Sequence, residues 1–345
     1  RPTMIVRARA PLRLGFAGGG TDVPPFSDQH GGFVMNATID RFAYATIDRS
    51  PTGRLELHSL DGDAQDSRAL GDVDLSHGPL QLMSGVYWRM CQEYPDILRT
   101  AIRIRCYSDA PPGSGLGSSS TMVVALVTAF VEYFGLPLGE YEIAHLAHAI
   151  ERSDLKLAGG KQDQYSATFG GFNFMEFYDR DRVIVNPLRI KDWLSAELEA
   201  SLVLYFTGVS RSSARIIEEQ SRNVVEGNRQ SVDAMFQLKD EAVQMKEALL
   251  RCDLGRFAQV MQSSWQLKKM MASSIANPAI DAVEAVAMRN GAVAAKVSGA
   301  GGGGFMMFMC DPADRIRLSR ALLEQGGALL DFHFHSGGAV AWKCR

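Results

Sequence analysis

Three stretches stand out for what they lack, which is side chains: RAPLRLGFAGGGTD at residues 9–22, PPGSGLGSSS at 111–120 and KVSGAGGGGF at 296–305. A glycine-rich loop between a strand and a helix turns backbone N–H groups toward an anion, and the helix N-terminus adds partial positive charge. Phosphate is the natural ligand of such a loop, and a tight structural turn is the plainer alternative. Two familiar phosphate motifs fail on spacing. No Gly-Lys-Ser/Thr ending closes the middle loop, as a Walker loop requires, and Ser118 stands where a dinucleotide fingerprint needs glycine.

The elements that must position these loops follow from periodicity. Residues 4–16, 31–50 and 54–60 alternate apolar and polar side chains and read as strands, as do 101–107, 170–178 and 182–188. Helical spacing marks residues 80–94, and Ser118 or Ser119 is placed to cap a helix running to about Phe134; a further helix is expected from Tyr141 to Asp154. A polar stretch around Lys191 to Glu199 divides the chain, giving expected domains of 1–195 and 196–345. Beyond it a strand at 200–208 leads into a long helical region from Ser210 to Met271, then helix and strand alternate to the end.

Composition narrows the class. A chain of 345 residues is long for one hydrophobic core, and 46% hydrophobic with 22% charged residues and a net charge of -3 is ordinary for a soluble enzyme with no nucleic-acid footprint. Cys91, Cys106, Cys252, Cys310 and Cys344 form no CxxC pair, so neither a zinc ribbon nor a disulfide framework is indicated. The apolar run from Met122 to Phe134 is too short to span a bilayer, and no cleavable leader is visible. The expectation is a cytoplasmic protein acting on a small molecule, without membrane or nucleic-acid partners and compatible with a homo-oligomer.

In their order, the three glycine-rich motifs resemble the signatures of the small-molecule kinases named for galactokinase, homoserine kinase, mevalonate kinase and phosphomevalonate kinase (GHMP kinases). With GGKQDQYSATFGGFN and TGVSRSSARII added, the chain is most similar to the heptose 7-phosphate kinase branch. The resemblance implies a two-domain α+β fold, its N-terminal domain like the second domain of ribosomal protein S5 and its C-terminal domain ferredoxin-like. It implies ATP and Mg²⁺ as cofactors, and phosphoryl transfer to the anomeric C1 hydroxyl of D-glycero-D-manno-heptose 7-phosphate. The 1,7-bisphosphate so formed would serve nucleotide-heptose and surface polysaccharide synthesis. A fucokinase- or galactokinase-like enzyme of an unphosphorylated sugar, or a sugar-binding regulator without turnover, are the alternatives.

Residue by residue, the resemblance carries over as follows. Pro112, Gly113, Ser114, Gly115, Leu116, Gly117, Ser118, Ser119 and Ser120 match the loop around the ATP phosphates. Mg²⁺ takes oxygen ligands and keeps waters, so a hydroxyl and one carboxylate suffice, here Ser119 (or Ser118, in the run of three serines) and Glu151. Asp163 matches the catalytic aspartate that accepts the acceptor's proton, and Arg13 the cation beside it. Gly19, Gly20, Thr21 and Asp22 match a sugar-binding loop, and Gly301 and Gly302 belong to the motif that closes over the site. A phosphorylated sugar needs a further cationic site; Lys161, Ser210 and Arg211 are the candidates. The plainer readings are a capping Asp163, a solvated Glu151 and a Lys161 paired with Asp163. The histidine pairs 145/148 and 333/335 lack a third ligand, the acidic run 61–66 reads as an exposed turn, and the methionines of 306–309 read as core.

Overall fold

The computed structural model describes residues 4–208 and 213–344. Among these, β1 (Ile5–Ala17), β2 (Gly32–Arg49), β3 (Leu55–Ser59), β4 (Ala64–Arg68), β5 (Ile102–Ser108), β6 (Phe172–Phe177) and β7 (Val183–Pro187) build a first sheet. A second sheet is made of β8 (Leu202–Phe206), β9 (Ala292–Val297), β10 (Phe305–Cys310) and β11 (Ala328–Leu330). Its order, β11-β8-β10-β9 with every pair antiparallel, is the ferredoxin-like arrangement expected of the C-terminal domain. The last strand, β12 (Val340–Cys344), crosses back to pair with β1 in the first sheet.

A cut at 195/196 therefore misplaces the end of the chain, which belongs with the first sheet. The boundary stretch is itself ordered: residues 192–201 form a helix whose Leu194 and Leu198 are buried, because its polarity is confined to one face. The acidic run 61–66 also departs from expectation, since β4 takes up its second half and pairs with β3.

Helices α1 (Phe26–His30), α2 (Gln81–Glu93), α3 (Ser118–Phe134), α4 (Glu140–Ala149) and α5 (Gln162–Phe169) precede the boundary helix α6 (Asp192–Ser201). The long helical region resolves into α7 (Ser213–Val225), α8 (Arg229–Leu250) and α9 (Leu254–Lys268), followed by α10 (Pro278–Arg289) and α11 (Arg315–Leu323). Asn228 and Asp253 make the breaks, each accepting a backbone N–H of the helix it opens.

β1 and β2 share one feature that sets up everything downstream. Val6, Ala8 and Ala10 lie in the core under α2 and α3, whereas Leu12, Leu14 and Phe16 lie in a second core with side chains of α8 and α9. The change coincides with a register shift between Pro11 and Arg13, and β2 changes face in step between Ile39 and Ala43. A bulge re-aims the side chains that follow it. Here it frees Arg13 from the apolar face and turns it toward α5.

Candidate active site

The middle glycine loop and the third one are stacked backbone on backbone. Phe305 N donates to Ser114 O at 2.8 Å, and Ser298 Oγ donates to Gly115 O at 2.8 Å. A Cβ on Gly115 would lie 2.2 Å from Ser298 O, and one on Gly304 would lie 2.4 Å from Ser114 O, with both residues at positive φ. Side chains at these crossings would push the loops apart, which is why glycine is required there.

Below the loops a cavity of about 430 Å³ opens between the two domains. Its floor is an ion pair: Arg13 Nε donates to Asp163 Oδ1 at 2.7 Å, while Arg13 Nη1 donates to Gly115 O at 2.7 Å. The guanidinium thus ties the carboxylate to the backbone of the middle glycine loop; Asp163 lines the cavity, and its Oδ2 has no hydrogen-bond partner among the described residues. Gly117 allows the approach; a Cβ on it would stand 3.2 Å from the Asp163 carboxyl. Asp163 sits in the first turn of α5, where a carboxylate is favoured by the helix dipole.

Glu151 follows α4 in a π-helical turn, Ile150–Asp154, of the kind that often marks functional sites. It is buried, yet lines the cavity. Ser120 Oγ and Gln164 Nε2 donate to its two oxygens at 3.1 and 2.8 Å, and Arg152 stands 3.6 Å away. Burial pushes its carboxyl pKa up, with Arg152 opposing. A carboxylate so desolvated is stabilised by a cation, and the neighbouring Gln164 Oε1 is buried without a partner. The donor set therefore suits a hard divalent metal that takes its remaining ligands from phosphate and water. Ser119, exposed at the cavity wall, forms no hydrogen bond with the described residues, whereas the Ser118 hydroxyl is tied to Ser114 Oγ at 2.9 Å. Of the two serines, Ser119 is the open one.

Asp22 is buried at the start of the acceptor side. Its Oδ2 accepts from Lys161 N at 2.8 Å and Gln162 N at 3.0 Å, and Oδ1 accepts from Gly20 N at 3.1 Å. The carboxylate caps α5 from a distance and keeps one lone-pair direction on Oδ1 for a further donor. Gly19, Gly20, Pro112, Gly113 and Gly301 also line the cavity.

Several expected residues do not reach it. Thr21 is fully buried, its hydroxyl donating to Gly18 O at 2.7 Å and accepting from Phe33 N at 3.1 Å, so it knots the turn and does not face a sugar. Ser114 and Leu116 point inward, Leu116 into the second core, leaving only their backbone to the loop. Gly302 is spent on Ile275, to whose carbonyl it donates at 2.8 Å. Lys161 is the clearest correction. Its ammonium is buried between Asp28 at 3.3 Å and Asp181 at 3.4 Å, away from both Asp163 and the cavity, because two carboxylates compensate its desolvation there. Ser210 and Arg211 lie outside the described residues; Ala214 and Ile217 of α7, just after them, line the cavity.

Sequence reasoning missed four contributors. Arg152, Gln162, Gln220 and Lys268 all line the cavity. Lys268 had a readable signal: Phe257, Val260, Met261, Ser264 and Trp265 form the buried stripe of α9, and Lys268 falls on it at helical spacing. Among the described residues no group of three or more His, Cys, Asp or Glu side chains is placed to hold a metal ion.

Residues 81–171 match the family model described as GHMP kinases N terminal domain, and residues 245–328 match GHMP kinases C terminal. Over 338 residues the chain is 44% identical to the D-glycero-alpha-D-manno-heptose 7-phosphate kinase of Campylobacter jejuni, covering 98% of this chain and 99% of that one. It is 26% identical to the L-fucokinase/L-fucose-1-P guanylyltransferase of Bacteroides fragilis, covering 93% of this chain and 36% of that protein. Among solved structures, a D-glycero-D-manno-heptose 1-phosphate kinase from Bacteriodes thetaiotaomicron superposes with a TM-score of 0.83 at 43% identity, over 99% of both chains.

Proposed function

This chain belongs to the GHMP kinases, and on that premise we propose that it moves the γ-phosphoryl group of ATP to the anomeric C1 hydroxyl of D-glycero-D-manno-heptose 7-phosphate. That it is a sugar kinase, with the family's use of ATP, rests on the matches above. The acceptor rests on 44% identity over almost the whole length of a heptose 7-phosphate kinase, and this observation carries the assignment.

The residues support a direct transfer. The acceptor oxygen bonds to the γ-phosphorus as the bond to the ADP oxygen breaks, and the hydroxyl proton passes to Asp163 Oδ2, whose partner oxygen Arg13 holds at 2.7 Å. The stacked glycine loops supply N–H groups and exclude side chains from the triphosphate. Asp22 Oδ1 accepts one sugar hydroxyl. Glu151 and Ser119 would hold Mg²⁺, whose charge would offset that of the phosphate oxygens. Arg211 and Ser210, which precede α7 in the sequence, read the acceptor's own phosphate. Five free cysteines accord with a reducing cytosol, and no described helix is long and apolar enough to cross a membrane.

The structural relative named as a heptose 1-phosphate kinase favours a second reading, in which the phosphate already present is at C1. ADP release measured with heptose 7-phosphate, heptose 1-phosphate, fucose and galactose separates these. Turnover confined to heptose 7-phosphate is expected. Faster turnover of an unphosphorylated sugar, or of the 1-phosphate, overturns the acceptor assignment.

A further inference from the structure

Lys161 and Lys268 are both buried lysines, and their surroundings differ in kind. Lys161 has two carboxylates within 3.4 Å. Lys268 is 6% exposed and lines the cavity, yet no carboxylate lies within ion-pair distance of it among the described residues. Among the described residues its ammonium makes one hydrogen bond, to Gly299 O of the third glycine loop.

The charged groups that face it come from three other elements and one loop. Asp163 on α5 is committed to Arg13, and Asp22 in the loop after β1 is committed to three backbone amides. Arg13 on β1 is a cation and repels it, while Lys296 on β9 is fully buried and has its own pKa pushed well below the ordinary value, by burial first and then by Lys268. Burial and Arg13 lower the Lys268 pKa to about 8, which leaves the side chain cationic at neutral pH. A buried, unpaired charge is costly and is removed by neutralisation or by an anion that arrives.

Its placement is fixed. α9 packs along α8 and β9, and Trp265 one turn earlier is buried, with Nε1 donating to Glu284 Oε2 at 3.0 Å. The C-terminal end of a helix also favours a cation. From there Nζ lies 3.9 Å from where a Cβ on Gly19 would be, on the acceptor loop. Gly299, which it holds, rides over Gly115 of the phosphate loop. The ammonium therefore stands where the two substrates meet, contributed by the domain that does not carry Arg13 and Asp163.

We propose that Lys268 is a second catalytic cation, contacting the phosphoryl group in transit between ATP and acceptor and neutralising charge on its oxygens. It takes no proton and forms no bond. The inference rests on the kinase reading and needs no particular sugar, so it is tested with whichever acceptor the wild type phosphorylates; failure of the heptose assignment leaves it standing.

The experiment compares wild type, K268M and K268R in kcat, in both Michaelis constants and in thermal midpoint. K268M is expected to lose roughly a hundredfold or more in kcat, the loss typical of removing one preorganised donor at a developing charge. Both Michaelis constants should change little, and the midpoint should hold or rise, because an uncompensated charge has left the interior. K268R should recover part of the kcat. A near-normal kcat for K268M overturns the proposal. So does a loss confined to the Michaelis constant of a phosphorylated acceptor, which would make Lys268 a reader of the sugar's phosphate, or a lowered midpoint in both variants that accounts for the lost rate.

Discussion

The two walls of the cavity keep their charges in opposite ways. On the N-terminal wall each carboxyl group already has protein partners: Asp163 has Arg13, Asp22 three amides, and Glu151 has Ser120, Gln164 and Arg152. On the C-terminal wall the one charged residue among the described lining is Lys268, held only by a backbone carbonyl. A pre-paired wall has its geometry before substrate comes, which suits proton transfer. An unpaired wall is completed by its ligand, which suits capture of phosphate. The division of labour between domains thus follows from where counter-ions are built in and where they are left out.

This contrast breaks most sharply at Asp163. D163N keeps the shape and removes the proton acceptor, and kcat should fall by at least about a hundredfold; a steady-state assay giving near-wild-type turnover would remove the pre-paired wall from the chemistry. R211A sharpens the other side. If the C-terminal wall reads anions, loss of this cation weakens binding of heptose 7-phosphate by about 1.5–3 kcal/mol while the ATP Michaelis constant stays nearly constant. Equal losses for phosphorylated and unphosphorylated sugars in parallel titrations would show that Arg211 reads no phosphate.

A metal titration probes Glu151. E151Q should raise the Mg²⁺ concentration for half-maximal rate by at least roughly tenfold, as an amide oxygen is a poor ligand for a hard cation; an unchanged midpoint contradicts the metal role. The smallest effect is expected at the paired lysine. K161M should leave kcat within about twofold and cost about 1 kcal/mol or less, because its partners Asp28 and Asp181 are about half exposed and screened. Denaturant unfolding and turnover measured together place it against K268M, and a large loss of turnover in K161M would erase the distinction between the two lysines.

The Arg13–Asp163 pair and the glycine loops were legible because their residue types have few other uses in that order. Strand alternation also exposed most of both sheets. What sequence hid was direction. Lys161 stands two positions from Asp163, but its backbone caps onto Asp22 while its side chain leaves toward Asp28, and spacing along a chain does not distinguish the two. Lys268 was hidden for the opposite reason: it lies far from every motif, and only its position on the apolar stripe of α9 betrays it. The face change of β1 and β2 is likewise invisible in an alternation that stays regular on both sides of the bulge.

β12 has a consequence for how the molecule comes into being. Its partner β1 stands far away in the sequence, so the first sheet is finished only by residues synthesised after the second sheet. A nascent chain therefore presents β1 with one edge open until the C-terminal domain has been made, and contacts of such separation close slowly. The same return means that two peptide crossings join the lobes, near Pro187 and near Phe334. Those two crossings are backed by a shared apolar core, in which Leu12, Leu14 and Phe16 of β1 pack with Met245 of α8 and Met261 of α9.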